Sequence, residues 1–271
     1  MKDLIEIRKQ CLETLLKLFK KADAGHIGSA LSCLDILIYL LFQKIQSEDE
    51  VIILSKGHAA AALYTTLAKA GRIQEDLLDT FYEEGTVLAA HPPCGYDRNP
   101  PSNDLIKAIP FGTGSLGHGL SITTGLVFSQ KFTGKNYNVY CLVSDGDCNE
   151  GSTWEAVLFA AHHNLQNLTV IVDRNNLQGF GYSEEVLNLE PLIDKFKSFG
   201  FNTVYADNGN DFNSLHAAFE TIQKNVSSKP KCIIAKTVKG SGISFMENKM
   251  EWHYLPMSDE QYELALKEVQ T

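Results

Sequence analysis

Five short runs along the chain are apolar and rich in Val and Ile, without clean alternation: Val51–Leu54, Val139–Val143, Leu168–Val172, Thr203–Ala206 and Cys232–Ala235. Such runs predict strands buried on both faces, as in a parallel sheet. Between them, apolar positions recur at helical spacing. Leu4–Phe19 places Ile5, Cys11, Leu12, Leu15, Leu16 and Phe19 on one stripe. Leu31–Phe42 is apolar almost all round and predicts a mostly buried helix. Ala59–Ala70, Leu116–Phe128, Thr153–His163, Phe212–Gln223 and Asp259–Val269 complete the helical set. Strands alternating with helices predict an α/β fold: a doubly wound, mainly parallel sheet with helices on both faces and ligands at the carboxyl ends of the strands.

No repeat, low-complexity tract or linker divides the chain, so residues 1–271 are expected to form one domain. Thr86–Phe111, with Pro92, Pro93, Pro100, Pro101 and Pro110, reads as a long irregular loop, a kind more often functional than connecting. The composition is that of an ordinary globular protein, 44% hydrophobic and 21% charged, which excludes disordered, collagen-like and disulfide-scaffold classes. The net charge of −9 argues against a nucleic-acid partner, and the one basic cluster, Lys17, Lys20 and Lys21, reads as a solvated helix face. The six cysteines contain no CxxC pair, and the amino terminus, MKDLIEIRKQ, lacks the apolar run of a secretion signal. Asp35 interrupts the longest apolar stretch, which is too short to span a bilayer. The expectation is a cytoplasmic protein with reduced thiols, no membrane association and no catalytic cysteine.

Candidate chemistry concentrates between Ser144 and Gln178. Asp145 and Gly146 follow one expected strand directly, and Asn175 follows the next, 30 residues after Asp145. One strand–helix–strand unit therefore puts both on adjacent loops at one sheet edge. A carboxylate, an amide oxygen and a nearby backbone carbonyl make a hard oxygen site suited to Mg²⁺ or Ca²⁺, completed by water and phosphate oxygens. Gly146 lets the backbone approach a phosphate, and a helix starting near Ser152 would aim its positive end at it. Asp-Gly or Asn-Asn alone is an ordinary turn; the two with a full unit between them are more specific. His26, His58, His91 and His118 stand beside glycine or proline in loop-like sequence, whereas His162 and His163 fall in a helix. Asp173 reads as a strand-end residue.

The segment from Ser144 to Gln178 resembles the thiamine-diphosphate motif, and its flanking words EGSTWEA and IVDRNNLQ resemble those of transketolases, in the half that binds the diphosphate. The resemblance continues through DAGHIGSALSCLDIL (Asp23 to Leu37), VIILSKGHAAAALY (Val51 to Tyr64), AAHPP (Ala89 to Pro93), FGTGSLGHGLS (Phe111 to Ser121) and KTVKGSGISFMEN…WHYLP (Lys236 to Pro256). It implies the thiamine-diphosphate-binding fold. It implies Mg²⁺, with Ca²⁺ substituting, on Asp145, Asn175 and the carbonyl of Leu177. The implied cofactor contacts are His58, Gly114, Ser115, Leu116, Asp145, Gly146, Asp147, Glu150, Asn175, Leu177, Lys239 and His253. Catalytic roles fall on His26, His58, His91 and His253. Glu150 and Glu155 match acidic positions at a subunit interface. Two departures are visible: Ser144 replaces a usual Gly, and His118 stands where many members have Gln.

The activity so implied is transfer of a two-carbon ketol unit from a ketose, often phosphorylated, to an aldose. The cofactor supplies the carbanion and the protein positions it. In that family the activating glutamate belongs to a pyrimidine-binding domain, which is expected on a separate chain. The resemblance is therefore to the N-terminal subunit of a split transketolase. Such a chain is inactive without its partner, the C-terminal transketolase subunit, and is expected in an α2β2 heterotetramer acting on sugars or sugar phosphates. The alternatives are the α subunit of a 2-oxo-acid dehydrogenase, a pathway-specific carboligase for an unusual sugar or aldehyde, and a non-catalytic diphosphate-binding module.

Overall fold

The computed structural model describes residues 2–93, 103–225 and 227–270. Its elements run, in chain order, α1 (Lys2–Ala22), α2 (Ile27–Tyr39), β1 (Val51–Leu54), α3 (Ala60–Lys69), α4 (Asn103–Ala108), α5 (His118–Thr133), β2 (Val139–Ser144), α6 (Gly151–His162), β3 (Leu168–Arg174), α7 (Ser183–Leu187), α8 (Leu192–Ser198), β4 (Asn202–Ala206), α9 (Phe212–Lys224), β5 (Lys231–Lys236) and α10 (Asp259–Gln270). The five strands form one parallel sheet in the order β1-β2-β3-β5-β4. Each expected strand is present, extended by up to two residues. The expected loop Thr86–Phe111 contains α4, and its stretch 94–102, with Pro100, Pro101 and Cys94, lies outside the described residues.

The sheet is doubly wound because its strands are apolar on both faces. Ile52, Leu54, Tyr140, Leu142, Ile171 and Ile233 pack on one side with residues of α1, α2, α3 and α9. Ile53, Cys141, Val143, Val170, Val172 and Ile234 alternate to the other side, against residues of α5, α6 and α8. Continuous hydrophobic runs are what two-sided burial requires.

The expected helix Leu31–Phe42 starts earlier and runs on. α2 begins at Ile27 and continues as a π-helical turn, Leu40–Lys44. Together they make an 18-residue stretch long and apolar enough to cross a membrane, but 83% of it is buried inside this fold. It packs on α1, α3 and α9. Asp35, midway along it, is tolerated because it accepts from Arg8 at 2.7 Å and Asn210 at 3.1 Å.

Candidate active site

Parallel strands deliver their carboxyl ends to one edge. β1 leads into Ser55-Lys56-Gly57-His58, β2 into Ser144-Asp145-Gly146, β3 into Arg174-Asn175 and β5 into Thr237-Val238-Lys239. Register fixes their levels, with Ser144 opposite Asp173 and Asp173 opposite Ala235. An open cavity of roughly 240 Å³ lies over this edge, lined by His26, His58, His91, His253, Gly114, Leu116, Asp145, Gly146, Asn175, Leu177 and Lys239 among others. A neighbouring cavity, lined by Arg174, Tyr205, Lys236 and Asn248, shares Asn175 but none of the histidines.

Three oxygen donors line the first cavity. The Asp145 carboxylate accepts from its neighbour's amide, Gly146 N–H, at 2.9 Å and from Ser183 Oγ at 2.7 Å, with Arg174 at 3.5 Å. Burial pushes its carboxyl up from the ordinary range. Asn175 turns its amide nitrogen inward, toward Ser32 Oγ at 3.3 Å and Asp173 at 3.4 Å, and its Oδ1 accepts from Leu177 N–H at 3.1 Å. The Leu177 carbonyl accepts from Lys239 Nζ at 2.9 Å. Among the described residues no three His, Cys, Asp or Glu side chains gather as a metal cluster. A site of one carboxylate, one amide and one carbonyl needs no such cluster and suits a hard divalent cation.

The histidines converge from four segments. His26 lies 5.6 Å from His58, 6.0 Å from His91 and 5.1 Å from His253, and His58 lies 5.4 Å from His253, centroid to centroid. Burial holds each of the four below the ordinary histidine range. Nearby cations reinforce this, Lys56 at His58 and Lys239 at His253, which falls to about 3. They are neutral near pH 7, so each offers one donor and one acceptor. Lys239, itself lowered by burial to about 8, contacts His253 Nδ1 at 2.8 Å.

Close backbone contacts set these positions. His26 has φ 75°, and its N–H donates to the His253 carbonyl at 3.1 Å. A Cβ on the preceding Gly25 would lie 2.5 Å from the Tyr254 carbonyl oxygen. A Cβ on Gly57 would lie 2.8 Å from the Thr113 carbonyl. Glycine at these two points lets the His26 segment touch the His253 segment, and the His58 segment touch the Thr113–Gly114 loop.

Some expected residues stand elsewhere. Ser115 and Glu150 do not line the cavity, and neither does Asp147. The buried Asp147 carboxylate accepts from Ser55 Oγ, Gly117 N–H, Ser144 N–H and Ser144 Oγ at 2.6–2.9 Å, tying β1, β2 and the glycine loop together. The Ser144 hydroxyl is thereby engaged within its own turn. His118 is the exposed first residue of α5, not a cavity residue, and Glu155 is exposed on α6. Gly146, which opens a short 3₁₀ turn, borders the cavity; the start of α6 does not. Asp173 is no mere strand end, being fully buried in an ion pair with Lys56. Residue type and spacing do not single out Lys56, Arg174, Ser183 or Tyr254, whose roles depend on partners far along the chain. Lys56 does carry a local signal, a charged residue between an apolar strand and a glycine.

Comparisons with known proteins agree with one another. Residues 9–269 match the family described as "Transketolase, thiamine diphosphate binding domain". The chain is 36% identical over 263 residues to a subunit of the apulose-4-phosphate transketolase of Phocaeicola vulgatus, covering 94% of this chain and 89% of that one. It is 34% identical over 272 residues to the 6-deoxy-6-sulfo-D-fructose transketolase subunit SqwG of Clostridium sp., covering 97% and 94%. The transketolase structure from Campylobacter jejuni superposes with a TM-score of 0.82 at 26% identity, over 98% of this chain but only 43% of that one. A domain-length family match, relatives above one-third identity and a shared fold lead to one statement: the chain belongs to the transketolase family, as its thiamine-diphosphate-binding domain.

Proposed function

We propose that this chain is the diphosphate-binding subunit of a two-chain transketolase, dependent on thiamine diphosphate and Mg²⁺, that moves a two-carbon ketol unit from a ketose or ketose phosphate to an aldose. The observation that carries this reading is the meeting of an oxygen trio and four neutral imidazoles in one cavity at the carboxyl edge. Asp145, Asn175 and the Leu177 carbonyl would hold Mg²⁺. Backbone groups of Gly146, Gly114 and Leu116 would face the diphosphate, with Lys239 adding positive charge. Because Lys239 now occupies the Leu177 carbonyl, a cation there has to share or displace it. When bound, the cofactor supplies the carbanion. The chain's own part is acid–base and positional: His26, His58, His91 and His253 bind sugar hydroxyls and hold or release a proton as alkoxide charge develops.

A second chain carrying the pyrimidine-binding half belongs to the same proposal. Two relatives are named as subunits. At the cavity Phe180 is 85% exposed, and elsewhere Phe132 and Leu158 are exposed on α5 and α6, large apolar side chains that a covering chain could bury. An α2β2 assembly in the cytoplasm is the form proposed. The test is to assay the chain with Mg²⁺, thiamine diphosphate and a ketose–aldose pair, alone and mixed with the complementary chain. Activity only in the mixture, lost in Asp145→Ala, supports the reading; robust turnover by the chain alone refutes partner dependence.

The relatives' names also favour a second reading, a specialised ketose as donor. Turnover across a panel of ordinary and modified ketose phosphates separates the two.

A further inference from the structure

Beneath the cavity floor lies a charged network with no exposure to solvent. Lys56 Nζ donates to the Ser29 carbonyl at 3.0 Å, to Ser32 Oγ at 3.2 Å and to Asp173, so its three protons are all engaged. Asp173 accepts also from Ser32 Oγ at 2.6 Å and, on its other oxygen, from Thr237. Lys56, Ser32 and Asp173 are each 0% exposed. The network joins the ends of β1, β3 and β5 to the first turns of α2. It reaches the cavity wall at Ser29 and at Asn175, whose Nδ2 faces Ser32 Oγ and Asp173.

We infer that Lys56 and Asp173 are positioning residues that, together with Leu177 N–H, set which end of the Asn175 amide faces the cavity. An amide side chain is nearly symmetric in shape, and only its partners distinguish oxygen from nitrogen. Two acceptors on the buried side hold the nitrogen there, while Leu177 N–H, 3.1 Å from Oδ1, engages the oxygen on the other side, where a cation would find it. Lys56 Nζ is bonded to the same Asp173 oxygen that faces Asn175 Nδ2, so the pair fixes where that acceptor stands. The pair is therefore needed to hold the acceptor in place, not for fold stability alone.

The inference rests on the cation-site reading above, and its test separates the two. Mn²⁺ binding to the full chain in the presence of thiamine diphosphate is followed by electron paramagnetic resonance, alongside melting of the unloaded chain. Wild type that does not bind, or Asp145→Ala that binds as well as wild type, brings down the cation-site reading itself. Given binding lost in Asp145→Ala, Asp173→Asn is expected to weaken Mn²⁺ binding by about 10–100-fold, the usual cost of losing an outer partner of a metal ligand. The decisive variant is Lys56→Met with Asp173→Leu. A matched apolar pair is expected to recover the melting temperature while the binding defect stays. Recovery of both together would make the network merely structural and overturn the inference. If the double variant does not fold, Ser32→Ala serves: a loss of threefold or more supports the inference, and unchanged affinity overturns it.

Discussion

Asp147→Asn isolates the residue that the sequence places with the cofactor and the structure places in the framework. The carboxylate is wholly buried and accepts four hydrogen bonds, two on each oxygen. On Oδ1 the donors are Ser55 Oγ and Gly117 N–H; on Oδ2 they are the Ser144 amide and hydroxyl. An asparagine must turn its NH₂ to one side or the other. The serine hydroxyl there can rotate and accept, but the backbone N–H cannot. One buried N–H is thus left facing another donor, at about 1–3 kcal/mol, and the remaining bonds lose charge assistance at about 0.5–1 kcal/mol each. The sum is about 4 kcal/mol, which for a chain of this size lowers the melting temperature by roughly 10 °C. Urea unfolding and thermal melting of the unloaded chain measure it. A loss below about 1 kcal/mol would refute the reasoning, because it would mean that the four donors do not depend on the charge.

Other perturbations probe the cavity walls. Gly25→Ala drives a Cβ to 2.5 Å from a backbone oxygen that no rotamer can relieve. It is expected to cost about 1–3 kcal/mol and to weaken cofactor binding by displacing His253; unchanged melting would count against the contact. Tyr254→Phe removes the bond from Tyr254 Oη to the Gly179 carbonyl, 2.7 Å long, which joins the His253 segment to the Leu177 loop. Unfolding free energy should fall by less than about 1.5 kcal/mol while diphosphate affinity falls several-fold; equal affinity would show the link to be idle. The pH response has a definite sign. His26, His58, His91 and His253 titrate lower in the folded chain than in the unfolded chain, mainly through burial. Their contribution is complete above pH ~6.5 and is lost as pH falls toward about 3, because protons bind the unfolded state first. Asp35 and Asp145, raised by burial, act in the opposite sense, giving stability that is lost as pH rises. Melting from pH 7.5 to 4.5 should therefore fall less steeply in His253→Asn than in wild type, and identical slopes would contradict the assignment.

The fold was legible because its governing signal is local. Each strand is buried on both faces, so each announces itself as an apolar run whatever its neighbours, and Val51–Leu54 matches to the residue. The meeting of Asp145 and Asn175 was legible for a related reason. One strand–helix–strand unit has a nearly fixed length, so Asp145 and Asn175 are brought to adjacent strand ends by topology alone. The boundaries of α2, the short helices α4, α7 and α8, and the place of His118 were not legible, since they depend on packing rather than on period.

What the amino-acid order determined by itself is the alternation of elements, the meeting of Asp145 and Asn175 at one sheet edge and the loop histidines, all set by residue type and spacing. What only the tertiary structure decided is which charged side chains face the cavity and which hold it up. Asp145 and Asp147 are two residues apart, yet one lines the cavity and the other is fully enclosed by donors from three segments. Lys56 and Asp173 lie 117 residues apart and form a single buried pair. A charge can be buried only where partners arrive from elsewhere in the chain to compensate it, and no local pattern records where those partners will be.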